Sequence, residues 1–345
     1  MRRRNRARES FVIIRLSSVG DVILTEPVVA VLRETHPDAE IGFVVKERLK
    51  DLVAGNPAIT RIHTLGDERR GALIKLAREV RSARYSVVVD LHANFRSRFL
   101  AAASGAGIVT TYRKRDLADA LRVRVFRKPF RAKRKIVERY VGSLAPLGIE
   151  APHRSPRFHL VPADALWARD YLAGAGLLPE RYAAIAPGAV WATKRWPADR
   201  YGAVAERFSS ELGLRTLLLG SLAERKGLLE IAARAPGAIV AAGDTRLGQM
   251  AGLISRARVY LGNDSGPTHM AMALGVPTIA VFGPTDPGQF DLRRARLLYA
   301  DLSCSACSFF GSTRCRFGHL ACMTSIATDQ ILAAARDLCA GREGA

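Results

Sequence analysis

Runs of four to seven apolar residues alternate along this chain with stretches whose apolar positions recur at helical spacing. Residues 11–16 (FVIIRL) form the first run, β-branched and of strand length. A tight loop follows at Ser17-Ser18-Val19-Gly20-Asp21, and residues 22–32 read as a helix with Val22, Ile23, Val28 and Leu32 on one face. Further strands are predicted at 41–45, 59–65, 85–91 and 107–112, with helices running to 54, over 69–84 and over 133–147. Residues 151–162 (APHRSPRFHLVP) are Pro-rich and read as a linker. A second series then starts. Its helices are predicted at 164–173, 199–212, 246–255 and 326–339, and its strands at 182–186, 214–219, 238–242, 258–261 and 277–282. Strands that alternate with helices in two runs predict two α/β domains, each a doubly wound parallel sheet with right-handed crossovers.

The second series carries the densest turn chemistry. Residues 262–287 read GNDSGPTHMAMALGVPTIAVFGPTDP: strand end, tight loop, helix, strand, tight loop. Pro267 suits a first helical turn, where no N–H is lost. A helix start preceded by Asp264, Ser265 and Gly266 offers free N–H groups and a positive dipole end, a seat for a phosphate. His269 lies one turn inside. Taken alone, the stretch also reads as an ordinary strand–loop–helix joint.

Other polar residues gather where strands end, the place at which open α/β sheets bind ligands. The first series offers Asp21, as a helix N-cap or as a carboxylate at the mouth of a strand, and Asn94 and Arg96 after the fourth strand. The second offers Thr193 and Lys194, Glu224 after a Gly-Ser turn, Asp244 with Thr245, and Asp264 to His269. Lys194 suits a phosphate and Glu224 a ribose diol. There is no GxGxxG and no Walker lysine, so dinucleotide and P-loop readings fail.

Charge sharpens the picture. The net charge is +21, and residues 1–162 hold 33 Lys/Arg against 16 Asp/Glu. Residues 113–135, opened by Arg113, hold 11 basic and 2 acidic residues. Such a field attracts polyanions: nucleic acid, an anionic membrane, or a phosphorylated substrate. Aromatics are 7% and no RNP, KH or helix-turn-helix pattern appears, which disfavours a nucleic-acid-binding protein. No apolar run reaches the ~20 residues that span a bilayer. Residues 1–10 read as a basic lead-in rather than a signal peptide, so a cytoplasmic protein is expected. Cys304, Cys307, Cys315 and Cys322 form a C-x2-C-x7-C-x6-C array suited to a structural Zn or Fe, or to a metal-free cysteine loop.

In order along nearly the whole chain, FVIIRLSSVGDVILTEPVVAVLRE, VVVDLHANFRSR, IAPGAVWATKRWPADRYGAVAERF, LLLGSLAER and VYLGNDSGPTHMAMALGVPTIAVFGPTDP resemble the lipopolysaccharide heptosyltransferases of glycosyltransferase family 9. The resemblance implies the GT-B architecture, two Rossmann-like domains facing across a cleft. Residues 1–160 would be the basic acceptor domain, 161–324 the donor domain with a Cys-rich loop at 302–323, and 325–345 a helix crossing back to the first domain. It implies inverting transfer of heptose from ADP-L-glycero-D-manno-heptose to a phosphorylated lipid A/Kdo-type inner-core acceptor, with no catalytic metal. Asp21 matches the family's proposed base, and Lys194 its diphosphate-binding lysine. Asp264, Ser265, Gly266 and His269 match its donor loop, and Glu224 lies near its ribose acid. Asn94, Arg96 and Arg113 become acceptor-side candidates. The basic face then predicts a peripheral protein on the cytoplasmic side of an anionic inner membrane. Transfer of a different nucleotide sugar, or epimerisation of one, is the sister reading within this fold.

Overall fold

In a computed structural model that describes residues 9–66, 71–112, 119, 123, 125 and 128–341, the apolar runs become the strands of two parallel sheets. Contacts divide the chain into one unit of Met1–Lys114 with Arg134–His159 and another of Arg115–Lys133 with Leu160–Ala345.

The first unit holds β1 (Ser10–Ile14), β2 (Glu40–Lys46), β3 (Arg61–Leu65), β4 (Val87–Asp90) and β5 (Ile108–Thr111), in the order β3-β2-β1-β4-β5. β1 pairs with β2 on one side, Ile14 against Val44, and with β4 on the other, Ile14 against Asp90. Every residue of β1 and β4 is buried, because helices cover both faces of a parallel sheet.

The second unit holds β6 (Tyr182–Ala186), β7 (Arg215–Gly220), β8 (Ile239–Ala242), β9 (Val259–Asn263), β10 (Thr278–Phe282) and β11 (Ala295–Tyr299), in the order β11-β10-β9-β6-β7-β8. In both sheets the strand order reverses beside the first strand of its series. The reversal falls between β1 and β4 and between β6 and β9, and at such a point a crevice opens outside the carboxyl ends.

Three expectations of secondary structure are corrected. The helix predicted over 22–32 is two helices, Val19–Ile23 and Glu26–Thr35. Pro27 has no N–H for a continuous ladder, and Thr25 instead donates its hydroxyl to the Val22 carbonyl at 2.7 Å. The helix predicted over 133–147 is a short α-helix, Ile136–Val141, followed by a 3₁₀ segment, Gly142–Leu147, that contains Pro146. β11 was not expected. It is an edge strand, only partly buried, so its apolar signal is weak. The stretch 115–133 groups with the second unit. The helix Thr328–Ala340 groups with the second unit. It buries Ile331, Leu332, Ala334 and Ala335 in the core with Trp196, Phe208 and Val281, packed on the helix Ala198–Leu212 and on β9 to β11.

Candidate active site

β1 runs straight into Arg15, a charged residue only 7% exposed. A guanidinium there must be partnered. Its Nη2 lies 2.7 Å from Asp21 Oδ2, and its Nε donates to the Ser17 carbonyl at 2.7 Å. Its Nη1 donates to the Leu91 carbonyl at the end of β4, and the group lies 5.5 Å from the centre of the Tyr140 ring. Asp21 is therefore not an N-cap: Ser18 caps the helix Val19–Ile23, and Asp21 is its third residue. Asp21 Oδ2 also accepts the Ser18 hydroxyl at 2.8 Å and the Ser18 N–H at 3.3 Å, while Oδ1 accepts the Tyr140 hydroxyl at 3.3 Å. Burial pushes the Asp21 carboxyl up, but the Arg15 charge and the Ser18 donors outweigh it, so the group titrates below the usual carboxylate range. Its side chain stays 30% exposed. It is an ionised, oriented carboxylate with a free approach. Burial and the Asp21 charge hold the Tyr140 phenol protonated, well above its ordinary value.

At the end of β4 the polar cluster is a turn built by Asp90. Its carboxylate accepts the His92 N–H at 2.9 Å, the Ala93 N–H at 2.8 Å and the Ser97 hydroxyl at 2.9 Å. Asn94 caps the helix Phe95–Ala103 by accepting the Ser97 N–H at 3.0 Å. Asn94 thus does capping work, and Arg96 is half-buried on the following turn. Arg113 lies outside the described residues.

The second unit gathers its candidates at the ends of β6, β7 and β9. Asp264, 4% exposed, accepts from Lys194 Nζ at 2.6 Å and from the Thr285 hydroxyl at 2.6 Å through Oδ2. His269 Nε2 stands 3.5 Å from its Oδ1. Burial raises the Asp264 carboxyl, yet the Lys194 charge and the His269 hydrogen bond hold it far below the usual range. The pair is buried, but Lys194 remains 14% exposed, with ammonium hydrogens to spare. Gly266 opens the helix Gly266–Ala273 with Pro267 in its first turn, so its first N–H groups have no partner within the helix. Ser265 Oγ, His269 Nδ1 and, near β8, Thr245 Oγ1 are buried with no hydrogen-bond partner among the described residues.

Asn263 ties these loops together. Its Oδ1 accepts the Trp196 N–H at 3.1 Å and the Tyr201 hydroxyl at 2.9 Å, and its Nδ2 donates to the Pro187 carbonyl at 2.7 Å. Glu224 is seated where only glycines allow it. A Cβ on Gly188 would lie 1.9 Å from Glu224 Oε1, and one on Gly220 would lie 3.2 Å from Oε2. Glu224 Oε2 accepts the Ser221 N–H at 2.8 Å and its hydroxyl at 2.7 Å. Asp244 pairs with Arg225 at 3.3 Å on the surface. Thr193 is 4% exposed and its hydroxyl donates to the Ser312 carbonyl at 2.9 Å, so it faces the protein.

The four cysteines line one cavity of about 50 Å3 with His319 and Thr193. Cys304 Sγ is 3.8 Å from His319 Nε2. Burial pushes the Cys322 thiol up to about 12 and also raises Cys307. Burial acts the same way on Cys315, but the N–H groups of Leu320, Phe317, Gly318 and His319 bring it below its ordinary value. Among the described residues no group of three or more His, Cys, Asp or Glu side chains is arranged to hold a metal ion.

Sequence reasoning missed Arg15, Tyr140, Asn263 and Thr285. Arg15 had a signal: a lone charge closing an apolar strand needs a counter-charge. Tyr140 had none, since it reaches Asp21 from 119 residues away.

Two parallel-sheet units with polar clusters at both strand-order reversals are the architecture of GT-B glycosyltransferases. The chain aligns over 96% of its length with 98% of a glycosyl transferase family 9 structure from Veillonella parvula, at a TM-score of 0.82 and 26% identity. Over 97% of its length it aligns with 99% of the Escherichia coli ADP-heptose LPS heptosyltransferase II structure, at a TM-score of 0.76 and 22% identity, which supports the fold alone. Residues 73–311 match the profile of glycosyltransferase family 9 (heptosyltransferase). The chain belongs to this family and is a glycosyltransferase. Relatives include lipopolysaccharide heptosyltransferase 1 of Pseudomonas aeruginosa, 27% identical over 80% of this chain and 79% of that one. Another is lipopolysaccharide heptosyltransferase 2 of Escherichia coli K12, 27% identical over 80% and 83%.

Proposed function

We propose that this glycosyltransferase moves a heptose from ADP-L-glycero-D-manno-heptose to a phosphorylated inner-core acceptor of lipopolysaccharide, with inversion at the anomeric carbon. The observation that carries the donor half is the buried Lys194–Asp264–His269 cluster beside the start of the helix Gly266–Ala273, with Glu224 seated on Gly188. Lys194 and the helix N–H groups take the diphosphate, and Glu224 takes the ribose diol. Asp264, Ser265 and His269 hold the heptose hydroxyls. That the relatives are named lipopolysaccharide heptosyltransferases supports heptose as the sugar and lipopolysaccharide as the acceptor.

In the transfer, the acceptor hydroxyl oxygen bonds to the anomeric carbon as the bond from that carbon to the ADP oxygen breaks. Asp21 accepts the hydroxyl proton, and ADP departs with the bonding pair. Developing negative charge on ADP is met by Lys194 and the helix dipole. Asp21 is a weak base because Arg15 lowers its pKa, so its contribution is orientation plus full ionisation. Arg96 and the basic stretch opened by Arg113 attract the acceptor's phosphates, while Asn94 shapes the loop that carries Arg96.

The test is calorimetry with ADP, UDP, GDP and ADP-heptose. Selective binding of ADP and ADP-heptose, lost in Lys194→Ala, is expected. Preference for UDP or GDP would keep the fold and overturn the heptose assignment.

Cys304, Cys307, Cys315 and Cys322 are proposed to hold a structural Zn or Fe, outside the chemistry. Their shared cavity, which brings the four side chains together, and the N–H groups aimed at Cys315, which favour its thiolate, support this. Elemental analysis of freshly purified, reduced protein should find the metal; its absence there removes the claim. No helix among the described residues is long and apolar enough to cross a membrane. Attachment to the cytoplasmic face of the inner membrane is accordingly proposed to be peripheral and electrostatic.

A further inference from the structure

Lys194 sits in a three-residue 3₁₀ turn, Ala192–Lys194, too short to fix its own geometry. Something else must hold it. On its C-terminal side the Trp196 N–H is held by Asn263. On its N-terminal side the partner is the Cys-rich loop. Thr193 N donates to the Ser312 carbonyl at 3.1 Å, Thr193 Oγ1 donates to the same carbonyl at 2.9 Å, and Ser312 N lies 2.9 Å from Thr193 Oγ1. One hydroxyl therefore both donates to and accepts from a single residue 119 positions away.

The neighbouring Gly311 completes the contact. Its φ is +99°, and a Cβ there would lie 2.7 Å from Trp191 Cβ and 3.1 Å from Lys194 Cγ. The loop is thus pressed against the stem of the lysine. Ser308 keeps this tip folded, accepting the Gly311 N–H at 3.0 Å and donating to the Gly311 carbonyl at 3.1 Å. From there the loop returns to the cysteine cavity, which Thr193 and Ser312 also line.

We infer that Thr193 and the Gly311-Ser312 tip of the Cys-rich loop are positioning residues for Lys194, clamping its turn so that the ammonium meets the donor's diphosphate. This rests on the reading of Lys194 as the diphosphate lysine. Thr193, a donor-binding candidate by sequence, acts through the protein and not on the ligand.

The test compares ADP with adenosine, which lacks the phosphates, on the full chain by calorimetry. Thr193→Val keeps the shape and deletes the hydroxyl. It should weaken ADP about ten- to a hundredfold, the order expected for the two hydrogen bonds that this hydroxyl makes with Ser312, and leave adenosine within about twofold. Thr193→Ser should restore ADP binding. Gly311→Ala, which pushes on the lysine stem from the other loop, should reproduce the loss. Lys194→Ala is the control. If it binds ADP as tightly as the natural chain, the diphosphate reading itself falls. If it loses ADP while Thr193→Val and Gly311→Ala keep it, the clamp is overturned. An equal loss of ADP and adenosine in both variants also overturns the clamp, because it would mean general collapse of the site.

Discussion

At the scale of single residues, two carboxylates carry the argument, and both owe their state to a cation placed against them. Asp21 is ionised because Arg15, stranded at the end of an apolar strand, requires it. Asp21→Ala should lower turnover by about 10²–10⁴-fold, the range for losing a positioned base, with ADP affinity kept. It should also cost roughly 3 kcal/mol of stability, because Arg15 is left buried without its counter-charge. Asp21→Asn should lose the turnover with a smaller stability cost, and a near-normal rate in it would remove Asp21 as the base. Gly188→Ala tests Glu224 without touching it. A methyl 1.9 Å from Glu224 Oε1 must expel the carboxylate, so ADP affinity should fall about tenfold while the melting temperature changes little. Unchanged affinity would release Glu224 from its ribose role.

At the scale of elements, the site depends on loops that are braced by other loops. The loop after β6 is held by Asn263 from β9, and the 3₁₀ turn within it by the Cys-rich loop. The same Cys-rich loop holds the basic stretch: Phe130 N donates to the Ala306 carbonyl at 2.9 Å, and Arg316 Nη1 donates to the Val123 carbonyl at 2.9 Å. Helix packing is equally specific. The helices Pro162–Gly174 and Leu247–Ser255 meet at Gly248 and Gly252. A Cβ on Gly252 would lie 2.8 Å from both Ala168 Cβ and the Asp164 carbonyl oxygen. Gly252→Val should force the two helices apart and lower stability by about 1–3 kcal/mol, the usual cost of overpacking, with donor selectivity unchanged. A variant as stable as the natural chain in a denaturant titration would show that the helices separate freely.

At the scale of the whole molecule, pH and salt are the levers. Asp21 and Asp264 both titrate below their unfolded values. Depressed carboxyl pKa values add stability that is fully present above the unfolded value, about 4, and is lost as pH falls through the folded values. The melting temperature should therefore be flat from about pH 5 to 8 and drop below about pH 4. Asp264→Asn should start lower and drop less steeply; an identical acid slope would place the titration elsewhere. The net charge of +21 acts over a longer range. Binding to vesicles containing phosphatidylglycerol should be strong at low salt and fall steeply as ionic strength shortens the screening length to about 8 Å. Salt-independent binding would argue against electrostatic attachment.

The sequence by itself determined the two α/β series, the glycine-and-acid loops at the strand ends, and the position of Lys194, Asp264 and His269 at one of them. These are local properties: apolar runs of strand length, helical periodicity, and turn residues with their own conformational preferences. The tertiary structure decided what those side chains do. Asp21 is the third helical residue because Ser18 caps the helix, and Arg15 and Tyr140 converge on its carboxylate. Thr193 turned inward because Ser312, 119 residues away, is there to meet it. The helix Thr328–Ala340 packs on the second sheet because its apolar face fits the core built by Trp196 and Phe208. Each of these outcomes rests on a partner tens to more than a hundred residues away or on a competition between two neighbours. Spacing along a chain does not encode either.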